Sequence, residues 1–328
     1  MESEEGLRRA AEVLSGASEV ALACHMNPDP DAIGSMLGLA SFLRDRGATT
    51  VCSFGNDPFE PPKWVDLLPG GDDLVAPSAF PKAPDIMVTL DTASLDRLGS
   101  LVGRVQHARE VIWIDHHVSN DGLGTIPVID PGASSTCEMI VRLIRAMGGE
   151  LTADSATCLY AGLVTDTGRF QYQAVTPETL RLAADLRSQP FDHTHLVQAL
   201  YDDNSVGYLK LLGTALHRVI FDEDADLTWT YLTREDLADA QVHPSEADDM
   251  IDIVRTARES DVAAVIKQQM DGRFKVSLRS RGSTDVSAVA QRFGGGGHRL
   301  AAGYTGKAGL HETLGELTAA LSEAPKSA

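Results

Sequence analysis

Five short segments hold residues whose types and spacing could do chemistry: HMNPDPDAIGS at 25–35, LD at 90–91, DHH at 115–117, TDTG at 165–168 and GGGGH at 294–298. The first four supply imidazoles and carboxylates. Asp29 and Asp31 stand two apart in a segment stiffened by Pro28 and Pro30, so their side chains can project in related directions. Gly34 and Ser35 then let a helix start approach closely. Were Asp29, Asp31, Asp91 and Asp166 to share one pocket, each close pair would repel by about 4 kcal/mol at ~4 Å, for an effective dielectric near 20. Two divalent cations would cancel the four charges, which favours a dinuclear site over a single ion. Nitrogen and oxygen donors without thiolate suit Mn²⁺, with Mg²⁺, Co²⁺ or Zn²⁺ as competitors.

The elements that must position these groups follow from the hydropathy pattern. The first half alternates apolar runs with helical patterns, which predicts an α/β fold with a mostly parallel sheet flanked by helices. EVALAC (19–24), TTVCSF (49–54), DIMVTLD (85–91) and EVIWID (110–115) read as strands, the last two continuous and β-branched enough to be buried on both faces. Helices are expected over 33–46, from a Ser135/Glu138 capping pair to 148–149, and over 154–164. Open parallel sheets bind ligands beyond the carboxyl ends of their strands. Three of these strands end in His25, Asp91 and Asp115–His116–His117, so one sheet edge collects the donors.

The second half reads as a smaller α/β domain that binds substrate. A polar stretch around 188–204, containing Pro190, ends a catalytic domain at 1–190; residues 191–220 form a linker with a bridging helix, and 221–328 the second domain. LTWTYL (227–232) is an expected strand, and 245–258 an expected helix with Ser245 and Asp248 as its capping pair. DVAAVIKQQM and RFKVSLRSR flank Asp271–Gly272 as a hairpin. A short helix over 285–293 leads into the glycine run, itself expected as a loop. His107, His193, His195, His217 and His243 read as surface residues.

Bulk properties limit the partners. A formal net charge of −19 over 328 residues repels long polyanions, since duplex binding depends on neutralising many phosphates. Residues 273–299 reverse the sign locally, with Arg273, Lys275, Arg279, Arg281, Arg292 and Arg299 against Asp285. A phosphate-bearing partner should therefore be small, and long duplex nucleic acid is excluded. Cys24, Cys52, Cys137 and Cys158 form no C-x-x-C pair and read as buried apolar residues. No apolar run approaches the roughly 20 residues of a membrane span, and the acidic start is unlike a signal peptide, so no membrane partner and a cytoplasmic location are expected.

Jointly, these motifs resemble the DHH phosphoesterase superfamily with its DHH-associated C-terminal domain, along most of the chain. By length and motif order the resemblance is to the nanoRNase/pAp phosphatase family, including members that cleave cyclic di-AMP. It implies that His25, Asp29 and Asp91 hold one metal ion, and that Asp31, Asp91, His116 and Asp166 hold another, with Asp91 bridging. A water acidified between two ions, most suitably Mn²⁺, would attack phosphorus in line. His117 would contact the scissile phosphate or aid proton transfer, and Asp115 would orient a ligand histidine. Arg279, Ser280, Gly296, Gly297 and His298 would bind the rest of the substrate, the glycine N–H groups forming an anion nest. The implied substrates are short RNA, pAp, cyclic di-AMP or linear pApA, and the implied assembly is a homodimer. Two other readings stand beside it: an inorganic pyrophosphatase-like hydrolase, against which the GGGGH segment argues, and a nucleotide sensor without turnover, against which the intact motifs argue.

Overall fold

The computed structural model describes residues 2–120, 122–306 and 309–325, and the chain divides into two compact units after Asp203. In the first unit, strands β1 (Glu19–Cys24), β2 (Thr49–Phe54), β3 (Ile86–Leu90), β4 (Glu110–Asp115) and β5 (Ile126–Ile129) form a sheet of order β2-β1-β3-β4-β5. Every pairing in it is parallel. Its helices are α1 (Glu2–Ser15), α2 (Pro30–Asp45), α3 (Val102–Val105), α4 (Thr136–Ala146), α5 (Ala153–Asp166), α6 (Pro177–Arg187) and α7 (His193–Tyr201).

The continuous apolar strands are buried on both faces, as their composition demands. Val20, Leu22, Cys24, Val88, Leu90, Ile112 and Ile114 enter the core shared with α2, α4 and α5. Ala21, Ala23, Met87, Val111 and Trp113 pack the opposite face with Phe80, Leu98 and Leu101. From β1 the chain moves to one side for β2 and then returns to the other side for β3. That reversal between β1 and β3 is a topological switch point, where a crevice opens beyond the carboxyl ends.

Helix α2 begins at Pro30, ahead of the expected 33, because Asp29 caps it: its Oδ1 accepts from Asp31 N and Ala32 N, each at 3.0 Å. Close approach of α2 and α5 depends on glycine. A Cβ on Gly34 would lie 2.4 Å from Cys158 O, and one on Gly162 would lie 2.4 Å from Cys137 Sγ and 2.9 Å from Asp31 Oδ1. Within the stretch expected to link the units, α7 packs Leu196 into the first unit's core. Strand β5, with an exposed Pro127 among its four residues, carried too little periodicity to be read from sequence.

The second unit contains α8 (Val206–His217), β6 (Ile220–Asp222), β7 (Leu227–Leu232), α9 (Arg234–Ala240), α10 (Ile251–Val254), β8 (Val262–Gln268), β9 (Phe274–Ser280), α11 (Val286–Arg292), β10 (Gly296–His298), β11 (Ala301–Gly306) and α12 (Leu310–Ser322). They build a mixed sheet of order β10-β11-β9-β8-β7-β6, with the expected antiparallel β8–β9 hairpin. Tyr208, Leu211 and Ala215 of α8 pack against Leu232, Leu237 and Val242. Two expectations need correction. The long helix over 245–258 is instead a 3₁₀ turn at Pro244–Ala247 followed by the four-residue α10. Asp248 does not cap it: its carboxylate is taken by Lys267 and by Lys275, the latter at 2.8 Å, while the side chain of Ser245 lies outside the described residues. The glycine run is not wholly a loop either, because Gly296–His298 pairs antiparallel with Ala301–Gly303 as a short strand.

Candidate metal centre

The crevice at the β1/β3 switch point gathers the eight first-unit residues singled out by sequence. His25 follows β1, Asp29 and Asp31 open α2, Asp91 follows β3, Asp115 closes β4 with His116 and His117 beyond it, and Asp166 ends α5. Three donor triads contain Asp91; two match the expected ligand sets, and the third is Asp91/Asp115/His117. In each of His25/Asp29/Asp91 and Asp31/Asp91/His116, one potential ligand atom per residue lies within 4.8 Å of the others. Asp166 joins the second group through an Oδ2 3.4 Å from His116 Nε2.

Hydrogen bonds set which atoms face the crevice. His25 Nδ1 is 2.8 Å from Met26 O, so it donates there, and Nε2 is left facing Asp91 at 3.5 Å and Asp29 at 3.9 Å. His116 repeats the arrangement. Its Nδ1 donates to Ala133 O at 3.2 Å, and Nε2 faces Asp91 at 3.5 Å and Asp31 at 3.9 Å. A tautomer fixed by a carbonyl on one nitrogen is how a histidine presents a lone pair to a metal on the other. Asp115 holds His117 rather than His116: Oδ1 is 2.7 Å from His117 Nδ1, and Oδ2 accepts from Asn120 Nδ2 at 2.7 Å. That leaves His117 Nε2 as the outward nitrogen.

The carboxylates are anchored by backbone. Asp31, 1 % exposed, accepts from Thr136 N at 2.7 Å and Cys137 N at 2.9 Å, the first amides of α4. Thr136 Oγ1 donates to Asp91 Oδ1 at 3.0 Å. Asp91 sits at φ 52°, a left-handed conformation costing a non-glycine residue about 1–2 kcal/mol, which the bond from Asp91 N to Ile114 O at 3.0 Å helps hold.

The electrostatics fit cations. Burial and then the Asp91 charge push Asp31 and Asp166 well above the ordinary carboxylate range. Asp91 is held far below that range although burial opposes its charge, because His25, His117 and His116 surround it. Burial also opposes a charged His117, but the Asp115 hydrogen bond and nearby carboxylates prevail and raise it to about 10. Added positive charge would favour the ionised form of both raised carboxylates. The imidazole and carboxylate donors suit divalent Mn²⁺ or Mg²⁺ and their neighbours in size. All four cysteines are free and buried, and burial raises every thiol, Cys52 to about 12, so thiolate does not enter the donor set.

Several residues of this crevice escaped sequence reasoning. Asn27 and Asn56 form a reciprocal amide pair, Asn27 N to Asn56 Oδ1 and Asn56 Nδ2 to Asn27 Oδ1, each 2.8 Å, that ties the first motif's loop to the end of β2. Thr136 and Arg97, the latter 3.1 Å from His25 Nδ1, also lie here. Only Asn120, close behind the DHH triplet, carried a local signal.

In the second unit the remaining predicted residues lie on neighbouring strands. Arg279 of β9 is in register with Ala301 of β11, which is in register with His298 of β10. Arg279 Nε lies 3.4 Å from Asp252 Oδ1. Ser280 is buried, and its hydroxyl donates to Asp261 Oδ2 at 3.1 Å and accepts from Gly282 N at 3.1 Å, which braces the turn after β9. Gly296 has open space where a Cβ would stand, whereas Gly297, at φ 138°, would meet Ala301 O at 2.4 Å.

Residues 19–163 match the family model described as "DHH family, N-terminal domain", and residues 227–326 match the "DHHA1 domain". A bifunctional oligoribonuclease and PAP phosphatase NrnA from Thermus thermophilus is 34% identical over 302 residues, covering 92% of this chain and 88% of that one. The cyclic-di-AMP phosphodiesterase GdpP of Geobacillus thermodenitrificans is 28% identical over 310 residues, covering 88% of this chain but 44% of that one. Among solved structures, an exopolyphosphatase-related protein from Bacteroides fragilis superposes with a TM-score of 0.90 at 25% identity, covering 98% and 96% of the two chains.

Proposed function

From the premise that this chain belongs to the DHH family of phosphoester hydrolases and carries a DHHA1 domain, we propose that it is a Mn²⁺-dependent phosphodiesterase and phosphatase that cleaves small nucleotides to nucleoside monophosphates. The observation that carries this reading is the pair of donor triads sharing Asp91. His25, Asp29 and Asp91 would hold one ion; Asp31, Asp91, His116 and Asp166 would hold a second. When bound, such ions supply Lewis-acid stabilisation of phosphoryl charge and lower the pKa of an attacking water.

The protein's own groups do the rest. The carbonyls of Met26 and Ala133 keep the Nε2 lone pairs of His25 and His116 directed into the crevice. Asp115 and Asn120 fix the His117 ring, whose outward Nε2 would donate to a phosphoryl oxygen or return a proton to the leaving group. In the DHHA1 domain Arg279, Gly296, Gly297 and His298 would bind the substrate's other phosphate or nucleoside, with Ser280 shaping the turn beside Arg279.

The substrate class is short RNA, pAp, cyclic di-AMP or linear pApA. The relatives named for oligoribonuclease, PAP phosphatase and cyclic-di-AMP phosphodiesterase activities support it, as does a net charge of −19 that disfavours long polyanions. We place the protein in the cytoplasm as a homodimer; no described helix is long and apolar enough to cross a membrane. A product-resolved panel with Mn²⁺ tests the reading, using an RNA dinucleotide, pAp, cyclic di-AMP, pApA and pyrophosphate. Release of nucleoside monophosphate is expected. Preferred cleavage of pyrophosphate, or nucleotide binding without release, would overturn it.

A further inference from the structure

Arg97 is a cation at the rim of the metal centre to which the reading above gives no task. Its backbone is held in place: Arg97 O accepts from Met26 N, the residue after His25, at 2.8 Å. Two residues on, Gly99 adopts φ 54°, and a Cβ there would lie 2.3 Å from Met26 Sδ and 2.5 Å from Gly55 O. Ser100 then donates to Gly55 O through both N, at 3.1 Å, and Oγ, at 2.9 Å. The turn that carries Arg97 is thereby packed against the loops that follow β1 and β2.

The side chain is not similarly satisfied. It is exposed, and its Nη2 lies 3.1 Å from His25 Nδ1. That nitrogen also lies 2.8 Å from Met26 O, so the guanidinium shares one ring nitrogen with a carbonyl and its other N–H groups have no hydrogen-bond partner among the described residues. No carboxylate pairs with it among the described residues. The adjacent Asp96 accepts from Ser94 Oγ at 2.6 Å instead. An arginine on a braced turn, against a proposed ligand histidine and without an anion of its own, presents a planar fork of N–H donors that matches phosphate oxygens.

We infer that Arg97 is a substrate-binding residue that donates to a non-bridging oxygen of the phosphate held at the metal centre, on the His25 side. The inference rests on the hydrolytic reading of that centre. Charge on the phosphoryl oxygens must be met by donors already in place, and Arg97, braced within the first unit, supplies one. Its loss therefore lowers affinity for phosphate and slows turnover, while the donor set of His25, Asp29 and Asp91 stays intact.

The test compares wild type, Arg97→Ala and Arg97→Lys, with Arg109→Ala at the exposed Asp85 pair as control. Three readouts are needed on the Mn²⁺-loaded protein: kcat/KM on an RNA dinucleotide, calorimetric Kd for inorganic phosphate, and bound metal by elemental analysis. Arg97→Ala is expected to lose roughly 10- to 100-fold in kcat/KM and about 10-fold in phosphate affinity, the scale of one charge-assisted contact. Bound metal should match wild type, Arg97→Lys should recover part of both losses, and added guanidinium should restore part of the Arg97→Ala rate. If wild type turns over and Arg97→Ala equals it in rate and phosphate affinity, the inference is overturned while the hydrolytic reading stands. Loss of metal from Arg97→Ala would overturn it too, since the residue would then support the ligands. A wild type that binds Mn²⁺ but cleaves none of the panel fails on the function itself.

Discussion

Asp31→Asn separates a metal ligand from a structural cap, because the two roles predict opposite signs. Potential ligand atoms of Asp31 and Asp91 lie within 4.8 Å of each other, so two ionised carboxylates there repel by about 3.5 kcal/mol at an effective dielectric near 20. Burial and the Asp91 and Asp166 charges raise Asp31 well above the usual carboxylate range, which favours retention of a proton in the folded wild type. A raised folded pKa means the folded state binds more protons than the unfolded one. Stability in chelator must then fall as pH rises from the ordinary carboxyl value through the raised one, by about 1.4 kcal/mol per pH unit at most for this group. Asparagine removes that penalty but not for free. Its amide oxygen can accept from only one of Thr136 N and Cys137 N, and its NH₂ faces the other, which costs about 1–3 kcal/mol. In EDTA at pH 8 the variant should therefore be more stable than wild type by roughly 0.5–2.5 kcal/mol. Near pH 3, below the ordinary carboxyl value, where Asp31 is protonated in both the folded and the unfolded state, the order should reverse. Addition of Mn²⁺ at about 100 times its Kd should stabilise wild type by ~2.7 kcal/mol and leave Asp31→Asn almost unmoved. Thermal melts at both pH values, with EDTA and with Mn²⁺, read all of this. A variant less stable at both pH values that keeps the full Mn²⁺ shift would refute the reasoning and leave Asp31 as a helix cap.

Asp91→Ala removes the group common to both triads and should abolish hydrolysis of every substrate in the panel; turnover near the wild-type rate would refute a shared ligand. Gly162→Ala places a methyl 2.4 Å from Cys137 Sγ and 2.9 Å from Asp31 Oδ1. It should destabilise the protein by about 1–3 kcal/mol and weaken Mn²⁺ binding roughly 10-fold, as calorimetry would show. Arg279→Ala or His298→Ala should raise KM for nucleotides about 10-fold with metal content unchanged, and steady-state kinetics beside elemental analysis decides it.

Much of this centre was legible because each donor sits at the end of a readable element. His25, Asp91 and Asp115 terminate strands whose apolar runs stand out, and the strand-end rule then brings them to one edge without knowledge of the strand order. What sequence could not supply were contacts across long separations. Asp31 bonds to Thr136, 105 residues away, and Arg97 approaches His25 across 72; no local pattern marks either partner. The expected helix over 245–258 failed for a related reason: Asp248 looked like a local cap, but Lys267 and Lys275, from strands β8 and β9, claim its carboxylate. The glycine run was read from composition alone, and its pairing with Ala301–Gly303 leaves no composition signal. Asp115 illustrates the same limit within one motif, since only geometry distinguishes His117 from His116 as its partner.

The anchoring of Asp29 and Asp31 explains how so many carboxylates can be kept close before a cation arrives. Each is tied to the start of a different helix, where unpaired amides carry about half a positive charge. Asp29 spends Oδ1 on Asp31 N and Ala32 N of α2 and turns Oδ2 toward His25. Asp31 gives both oxygens to the first amides of α4. Helix α4 reaches further, because Thr136 in its first turn also donates to Asp91, so one helix start supports a member of each triad. These bonds offset part of the mutual repulsion yet leave Asp31 and Asp166 raised. The residual negative charge is what divalent ions would neutralise. It follows that the two carboxylates of the first motif are not interchangeable. Removing Asp29 takes the cap from α2 and a donor from the His25 side, whereas removing Asp31 loosens α4 and, through Thr136, the residue that both triads share.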